Sequence, residues 1–252
     1  MAPPRQPGPV PALPPAPAVP AGKIRELLQA PVVDGAALLR TIGIAQPAST
    51  LVTSPEAARE AVAALPGPGV LKLAAGDLAH KSDVGGVRVG VPAGEAAAVF
   101  RELIDSAKRH HVPDVEGVLV QELIPPGTEL ILGATGGRDG FPPVITVGLG
   151  GVTTELYKDI ASGLAPVTPE RAWAMLRSLR AWPLLAGFRG AEAADVPAAV
   201  DAVVRLSQAV VAAGDRLTEL EVNPLIVAPR GRGATAVDVL VSTTGRAVPL
   251  GE

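Results

Sequence analysis

Two separated groups of residues in this sequence have the types and spacing that phosphate chemistry needs. The first group begins at Lys72 and continues through His80, Lys81 and the pair Gly85-Gly86. Ammonium groups and unhindered backbone N–H groups bind polyphosphates, and an imidazole can act as a nucleophile toward phosphorus. The spacing differs from G-x-x-x-x-G-K-[ST], so the segment is not a P-loop. We therefore predict a phosphate-binding hairpin in which His80 is the candidate catalytic residue.

Both principal side chains of this hairpin also have a simpler interpretation. A lone histidine such as His80 is more often a surface or capping residue than a catalytic one. Lys72 lies between Leu71 and Leu73, and strand alternation directs it to the face opposite these leucines. On that face it either meets a phosphate or carboxylate or extends its ammonium group into solvent.

The second group consists of Glu221 and Asn223, with Asp238 in the next predicted strand. By strand alternation Glu219, Glu221 and Asn223 share one face, and a hairpin would bring Asp238 beside Asn223. Carboxylate and amide oxygens are the ligands that Mg²⁺ prefers, and this ion commonly bridges phosphates. The pattern favours a magnesium site, with a solvated polar face as the alternative.

A strand, a turn and a second strand over residues 118–129 place two acids, Glu122 and Glu129, in an apolar setting. Such acids can receive ribose hydroxyls or an adenine amino group, or they are exposed strand charges. Further along, the glycine-rich turn ending at Gly150-Gly151 opens into a polar run that reaches Asp159, which is typical of the rim of a cleft.

Short apolar strands alternate with alanine-rich helices along the chain, which predicts an α/β or α+β fold. Helices are expected at 34–42, 55–65, 94–109, 169–181 and 196–213, and strands at 70–73, 87–91, 117–123, 129–134, 144–149, 220–227 and 235–241. Ser54 and Thr168, each followed by Pro and Glu, are predicted helix caps. Residues 1–22 are rich in proline and predict a disordered tail, either a solvated leader or an SH3-type ligand. A boundary near Pro113 is expected to separate subdomains 23–112 and 113–252.

The composition excludes several classes of partner. A formal net charge of −3 and only 2% aromatic residues argue against nucleic acid. The absence of cysteine excludes disulfides and thiolate chemistry and is compatible with a cytoplasmic location. No apolar run is expected to reach the roughly 18–20 residues that span a bilayer, so no membrane partner is predicted.

Taken together, these motifs resemble the ATP-grasp half of nucleoside-diphosphate-forming acyl-CoA synthetases, and in particular the separate β subunits of ADP-forming acetate–CoA ligases. The resemblance covers residues 34–241 and is carried by His-Lys-Ser-Asp-x-Gly-Gly-Val, by Gly-Leu-Gly-Gly with Glu-x-x-Lys-Asp downstream, and by Glu-x-Asn-Pro-Leu. The segment 184–190 is also similar to the family. The resemblance implies an ATP-grasp fold, in which two α+β subdomains clasp the nucleotide.

The resemblance also implies a role for each motif residue. Lys72, Lys81 and the loop through Gly85-Gly86 would contact ATP phosphates, and His80 would take the phosphoryl group. Glu122 would lie at the adenine and Glu129 near the ribose. The residues expected to hold Mg²⁺ are Asn223 and Asp238, with Glu221 adjacent.

The implied cofactors are ATP or ADP with Mg²⁺, and the implied partner is a CoA-binding α subunit through which CoA and acyl phosphate enter the reaction. The sequence departs from the family at Ser162-Gly163, where a Phe-Arg pair is usual. Two alternatives remain open: a non-catalytic nucleotide-binding or regulatory ATP-grasp module, and a ligase similar to succinyl-CoA synthetase β chains, which share Glu-x-Asn-Pro-Leu.

Overall fold

The structure is a computed structural model, and it describes residues 17–30, 32–75, 84–138, 140–151 and 159–244. Contacts divide this part of the chain into two compact units. The main unit combines residues 17–45 with residues 126–244, and the insert unit consists of residues 46–125. The main unit is therefore built from two stretches of chain that the insert unit separates in sequence.

The residues described form helices and strands with the following bounds. The helices are α1 (Ala21–Leu27), α2 (Gly35–Thr41), α3 (Pro55–Ala63), α4 (Ala93–Arg109), α5 (Pro169–Ser178), α6 (Trp182–Leu185) and α7 (Val196–Ala213). The strands are β1 (Ser49–Val52), β2 (Gly69–Ala75), β3 (Val87–Val91), β4 (Val115–Glu122), β5 (Thr128–Thr135), β6 (Val144–Leu149), β7 (Ile160–Leu164), β8 (Leu217–Val227), β9 (Ala234–Ala236) and β10 (Val239–Thr243).

The insert unit contains an antiparallel sheet of order β1-β4-β2-β3, with α3 and α4 packed on one face. Its core joins Leu71, Val118 and Val120 of the sheet to Val62 of α3 and Phe100 of α4. Helix α4 is apolar along one side and charged along the other, so its buried stripe lies on the sheet.

The main unit contains a sheet of order β10-β8-β5-β6-β7, and β9 extends it beside β8. One face carries the larger core, in which α7 packs against strand residues such as Leu130, Leu132 and Val222. Helices α1 and α2 also belong to this core through Ile24 and Leu39. The antiparallel sheets and the helices packed on them confirm the predicted α+β class.

Local capping explains where several helices begin. The hydroxyl of Ser54 accepts the N–H of Ala57 at 3.1 Å, and that of Thr168 accepts the N–H of Arg171 at 3.3 Å. Both predicted caps are therefore confirmed. At the start of α5 a backbone hydrogen bond of Glu170, together with the Thr168 side chain, holds the pKa of the Glu170 carboxyl below its ordinary value.

The boundary between the observed units differs from the one predicted near Pro113. Strand β4 follows that proline yet pairs with β1 and β2 of the insert unit, so the division after β4 falls at Pro125. Residues 23–45 belong to the main unit, where Ile24 and Leu39 join its core and Nη1 of Arg205 donates a hydrogen bond to the carbonyl of Ile42 at 2.8 Å. Within the predicted tail 1–22, residues 1–16 lie outside the described residues, and Ala21 already begins α1.

One helix corrects the prediction that no segment is long and apolar enough for a bilayer. The segment Val196–Arg216 meets that condition by length and composition, with a mean hydropathy of 1.4 over its most apolar stretch. However, 67% of that stretch is buried in the structure, and Ala199, Val203 and Val210 are fully enclosed by the core. A helix that is apolar nearly all round is what a buried core position requires.

Candidate functional site

The predicted metal residues lie together in the main unit, at a gap on one side of β8. Strand β10 pairs with β8 up to Val222, and β9 pairs with it from Leu225 onward. In the gap the N–H of Asn223 donates a hydrogen bond to the carbonyl of Asp238 at 3.2 Å. Asp238 therefore lies beside Asn223 as predicted, but the single strand predicted at 235–241 is divided at this point, since β9 ends at Ala236 and β10 begins at Val239.

The side chains of this group offer oxygen atoms to a cation. Nδ2 of Asn223 donates to Oε1 of Glu221 at 3.1 Å, a bond that uses the amide nitrogen and not the amide oxygen. Oδ1 of Asp238 accepts the N–H of Val239 at 3.0 Å. Glu221 and Asn223 lie on the face opposite Leu220 and Val222, both 0% exposed. These oxygens suit a hard cation such as Mg²⁺.

This donor set is incomplete as a metal site by itself. Among the residues described, no group of three or more His, Cys, Asp or Glu side chains is arranged to hold a metal ion. The two carboxylates and one amide of Glu221, Asp238 and Asn223 fit Mg²⁺ only with further oxygen ligands, as where the ion keeps waters and is shared with substrate phosphates.

Glu129 lies at the start of β5 and lines a cavity of about 690 Å³ in the main unit. The predicted glycine turn packs directly on it, because the N–H of Gly150 donates to the Glu129 carbonyl at 2.7 Å. A Cβ on Gly150 would approach the Cβ of Glu129 to 3.0 Å, so the turn excludes larger residues. Leu184 and Phe188, which are 44% and 47% exposed, form an apolar wall of the same cavity.

Asp159, at the end of the predicted polar run, has a structural role. Its two carboxylate oxygens accept the N–H groups of Arg180 and Ala181, both at 2.8 Å. The segment 152–158 before it lies outside the described residues. Asp159 therefore fixes the connection between α5 and α6. Helix α6 carries Leu184, which forms part of the apolar wall of the cavity.

The departure at Ser162-Gly163 is accommodated by the packing of β7. A Cβ on Gly163 would meet Sδ of Met175 at 3.1 Å and Cγ1 of Val167 at 3.3 Å. Nη2 of Arg171 donates to the carbonyl of Ser162 at 3.4 Å. A larger side chain at Gly163 would require these neighbours to shift.

Lys72 lies in the middle of β2 in the insert unit and is only 5% exposed. Its strand neighbours Leu71 and Leu73 are 0% exposed, so Lys72 points to the opposite face of the sheet. The alternative of a solvent-exposed lysine is thereby excluded. Taking an ammonium group out of water is costly unless an acceptor or anion meets it.

The Gly85-Gly86 turn leads into β3, which pairs with β2 beside Lys72. Three successive carbonyl groups of this turn accept hydrogen bonds from residues of the insert unit. Oγ of Ser106 donates to the Val84 carbonyl at 2.7 Å, Nη1 of Arg88 to that of Gly85 at 2.9 Å, and the N–H of Leu73 to that of Gly86 at 2.8 Å. Gly85 has a φ of +63°, a conformation that favours glycine.

Sequence reasoning missed Ser106 and Arg88. Ser106 is only 5% exposed and interrupts the apolar stripe of α4, and this interruption is the sequence signal that could have indicated a polar role. Glu122 ends β4, and its N–H donates to the Ala48 carbonyl at 2.9 Å. The catalytic candidate His80 and the phosphate candidate Lys81 both lie outside the described residues.

The structure therefore groups the predicted residues into two sets, each within one unit. The insert unit holds Lys72, Gly85-Gly86 and Glu122. The main unit holds Glu129 and the oxygen group of Glu221, Asn223 and Asp238. The first set offers cationic and backbone N–H groups, and the second offers oxygen ligands for a cation.

Comparison with known proteins identifies the family to which this chain belongs. The sequence matches the ATP-grasp domain family over residues 23–242. It is 35% identical over 82% of its length to the ADP-forming 4-hydroxybutyrate–CoA ligase of Nitrosopumilus maritimus and spans 30% of that protein. It is 32% identical, also over 82% of its length, to the β subunit of ADP-forming acetate–CoA ligase II of Pyrococcus furiosus, and it spans 89% of that chain.

Solved structures of dinucleotide-forming acetyl-coenzyme A synthetase 1 from Ca. Korarchaeum cryptofilum are also similar. One, in complex with coenzyme A and Ca-AMPCP, is 36% identical with a TM-score of 0.76, covering 83% of this chain and 90% of that one. Another, with coenzyme A and Mg-AMPPCP, has a phosphohistidine segment that points towards the nucleotide binding site. It is 32% identical with a TM-score of 0.71, covering 87% of this chain and 99% of that one.

Proposed function

This chain belongs to the ATP-grasp family, and from that membership we propose that it is the nucleotide-binding β subunit of an ADP-forming acyl-CoA synthetase. The chain spans 89% of a β subunit but only 30% of a single-chain ligase of the same chemistry. The proposal therefore assigns CoA and the acyl group to a partner α subunit. The reaction joins an acid to CoA at the expense of ATP, or runs in reverse to make ATP.

The observation that carries the proposal is the hydrogen bond between Asn223 and Asp238. This backbone bond holds Asp238, which lies between β9 and β10, next to Asn223 of β8, and the Asn223 amide bonds in turn to Glu221. A nucleotide-dependent phosphoryl transfer needs a site of this kind, because a cation has to offset the charge of the phosphate oxygens. Mg²⁺ held by Asn223 and Asp238, with Glu221 adjacent, would supply that charge when bound.

The residues of the insert unit have complementary roles in this proposal. The ammonium group of Lys72 offsets negative charge on the nucleotide phosphates as the phosphoryl group moves. The backbone N–H groups of the Gly85-Gly86 turn contact the same phosphates, with Lys81 as a further cation. Glu122 contacts the adenine, and Glu129 receives the ribose hydroxyls at the cavity that it lines.

His80 is the proposed phosphoryl acceptor. In the direction of ATP synthesis, an acyl phosphate bound by the α subunit gives its phosphoryl group to the His80 imidazole: the N–P bond forms, the P–O bond to the acyl group breaks, and the carboxylate leaves. A terminal oxygen of ADP then attacks this phosphorus, the N–P bond breaks, and neutral histidine and ATP result. For this the ring nitrogen that bonds to phosphorus carries no proton at the moment of attack.

The experiment that tests this function is phosphorylation of the chain by γ-³²P-ATP with Mg²⁺. We expect acid-labile label on the wild-type chain and none on His80→Asn, with nucleotide affinity within about twofold. His111→Asn is the matched control, since His111 is exposed and its φ of +51° is one that asparagine tolerates.

The outcome also separates the alternatives. Label on His80→Asn equal to that on the wild type would exclude the proposed acceptor. Nucleotide binding with no label, and no CoA-dependent turnover when an α subunit is added, would favour a non-catalytic binding module. Turnover with succinate in preference to acetate would favour the succinyl-CoA type of ligase. A cytoplasmic location stays a prediction from composition and from the relatives' metabolic roles.

A further inference from the structure

Strand β7 forms one edge of the sheet in the main unit, and its outer side pairs with no other strand among the residues described. Natural proteins protect such edges with charged side chains, prolines, bulges or very short strands, because an open edge can pair with another chain. The strand Ile160–Leu164 contains no charge and no proline, and its pairing with β6 continues without a register shift. This edge therefore carries none of the usual features that prevent edge-to-edge pairing.

The other edge strands in the described part of the chain do carry such features. Strand β3 contains Arg88 and pairs with β2 across a register shift, and β10 has a register shift between Ser242 and Thr243. Strands β1 and β9 have only four and three residues. The contrast identifies β7 as the edge to which a further strand can be added.

The register of β7 with β6 shows which backbone groups face the open side. The N–H of Ala165 donates to the Pro143 carbonyl at 2.8 Å, so these two residues form a hydrogen-bonded pair just beyond the end of β7. Hydrogen-bonded and non-hydrogen-bonded pairs alternate along an antiparallel ladder. Leu164, Ser162 and Ile160 are therefore in non-hydrogen-bonded pairs with β6, and their N–H and C=O groups point away from it.

The sequence of β7 is complementary to itself about Ser162. In a two-fold antiparallel pair of these strands, Ser162 lies opposite Ser162 of the second copy, and Ile160 lies opposite its Leu164. Each of these pairs then exchanges two N–H···O=C hydrogen bonds, because all of the outward groups meet outward groups. The Ser162 carbonyl can accept this bond together with Nη2 of Arg171, 3.4 Å away, since a carbonyl oxygen has two lone pairs.

The side chains of β7 fit the same arrangement. Ile160 and Leu164 lie on the face opposite the core and are 57% and 66% exposed. In the pair each Ile160 packs against a Leu164, which removes apolar surface of both from water. Ala161 and Gly163 on the other face are small. Because Ser162-Gly163 is also where this sequence departs from the family's usual Phe-Arg, the pairing is expected of this chain and not of the family as a whole.

The area of this contact indicates its strength. A strand of five residues is about 17 Å long and a sheet is about 10 Å thick, so the strand edge alone covers on the order of 200 Å² of each copy. A stable interface covers about 800 Å² of each partner. Helix α5 packs on Gly163 through Met175, beside the two-fold axis, and adds to the contact. We therefore expect a dissociation constant in the micromolar range.

We propose that β7 is a self-association surface, through which two copies of this chain join their main-unit sheets into one continuous antiparallel sheet. The pairing uses no residue of the proposed nucleotide and metal groups. It is therefore independent of the proposed function and is expected both with and without ATP.

The absence of cysteine from the chain allows a direct test of the register. Opposed residues of a hydrogen-bonded antiparallel pair have Cα atoms about 5.5 Å apart, within the range that a disulfide spans. We expect Ser162→Cys to form a disulfide-linked dimer under mild oxidation, seen on a non-reducing gel at twice the mass of the chain. Thr50→Cys, at an exposed position of the edge strand β1, is the matched control and is expected to stay monomeric.

Charge substitutions at the two exposed apolar positions test the same arrangement in solution. Analytical ultracentrifugation of the full chain from about 1 to 200 µM measures the dimer dissociation constant. Ile160→Lys combined with Leu164→Lys places like charges opposite each other, and we expect at least tenfold weaker dimerisation, on the order of 1.4 kcal/mol. Ile160→Lys combined with Leu164→Glu places each lysine opposite a glutamate and is expected to restore most of the affinity. Both variants are expected to bind ATP as the wild type does.

Several results would overturn this assignment while leaving the proposed function intact. One is a wild-type chain that sediments as a monomer at every concentration. Others are cross-linking of Ser162→Cys no faster than that of Thr50→Cys, and equal association of the two charge variants. Loss of the dimer when an α subunit binds, with Ser162→Cys protected from cross-linking, would assign β7 to that partner instead. If a charge variant does not fold, the wild-type sedimentation and the cysteine pair still decide.

Discussion

Asn223 donates a hydrogen bond from Nδ2 to Oε1 of Glu221, 3.1 Å away and two positions earlier in the same strand. Alternate residues of a strand share a face, so this bond runs along the surface of the sheet. It orients the amide and one carboxylate relative to each other before any ligand binds. The neighbouring carbonyl of Asp238 holds the backbone of Asn223 at the same point.

This arrangement predicts that the charge of Glu221 contributes to cation binding. Gln at this position keeps an oxygen that accepts from Asn223 but removes the negative charge. We expect Glu221→Gln to raise the Mg²⁺ concentration needed for half-maximal nucleotide binding by roughly tenfold, the scale of a unit charge close to a divalent ion in a solvated site. Calorimetric titration of Mg²⁺ at fixed ATP measures this shift.

Glu219 provides the matched control for that titration. It lies on the same face of β8, is more exposed and pairs with Ser242 outside the oxygen group. Glu219→Gln is therefore expected to leave the Mg²⁺ requirement unchanged. Equal shifts in the two variants would mean that the effect is general electrostatics and not coordination by Glu221.

The anchored glycine turn predicts a specific role for Ser106. Removing its hydroxyl leaves the Val84 carbonyl without this donor and loosens the turn that is proposed to contact phosphates. We expect Ser106→Ala to lose about 1–3 kcal/mol of unfolding free energy and also to weaken ATP binding severalfold. Denaturant unfolding and calorimetry measure the two effects separately, and Ser106→Thr is expected to restore binding.

Ser207 allows the stability effect to be separated from the binding effect. Its Oγ also donates to a buried carbonyl, that of Val204, at 2.7 Å, and it is 0% exposed in the main unit. Ser207→Ala is expected to destabilise the fold without changing the affinity for nucleotide. If both serine variants bind ATP as the wild type does, the anchoring of Val84 has no functional consequence.

The contacts of Asp159 predict a structural role for the last residue of the polar run. Asparagine at this position would present one N–H donor to a backbone N–H that now donates to a carboxylate at 2.8 Å. We expect Asp159→Asn to lower the unfolding free energy by about 1.5–3 kcal/mol, the range for a hydrogen bond to a charged group. Asp215→Asn, an exposed change in the turn after α7, is expected to be neutral by the same measurement. Equal stability of the two variants would show that the Arg180 and Ala181 bonds contribute little.

The oxygen group could be predicted from sequence because its geometry is local. Alternation places Glu221 and Asn223 on one face, and the chain returns beside β8 with Asp238 between β9 and β10, next to Asn223. The helix caps at Ser54 and Thr168 were readable for the same reason, since a cap depends on residues only three positions apart. Sequence patterns that join residues only a few positions apart can be recognised without knowledge of the tertiary fold.

Two strands gave no such signal. Strand β1 has four residues, of which three are exposed, and β7 contains an Ala-Ser-Gly sequence with exposed ends. Neither presents the clean alternation of apolar and polar residues by which a half-buried strand is recognised. They form because neighbouring strands supply hydrogen bonds along their length, which is information from elsewhere in the chain.

The division into units depends on contacts of still longer range. Arg205 reaches the carbonyl of Ile42 across 163 positions, and Ala45 forms a bridge to Thr235. A local sequence pattern does not show which distant residue each of these groups contacts. The boundary is therefore predicted near Pro113 and not at the end of β4. The same limit hid Ser106, whose role depends on the Val84 carbonyl 22 positions away.

The hydrogen bond between Arg205 and the carbonyl of Ile42 has a consequence for biosynthesis. Arg205 leaves the ribosome 163 residues after Ile42, which corresponds to roughly 8–30 s at common translation rates. During this interval residues 46–125 emerge entire, with every strand pairing of their sheet supplied from within. The insert unit is therefore able to fold early on the nascent chain. Helices α1 and α2 cannot pack until the later part of the main unit has been synthesised.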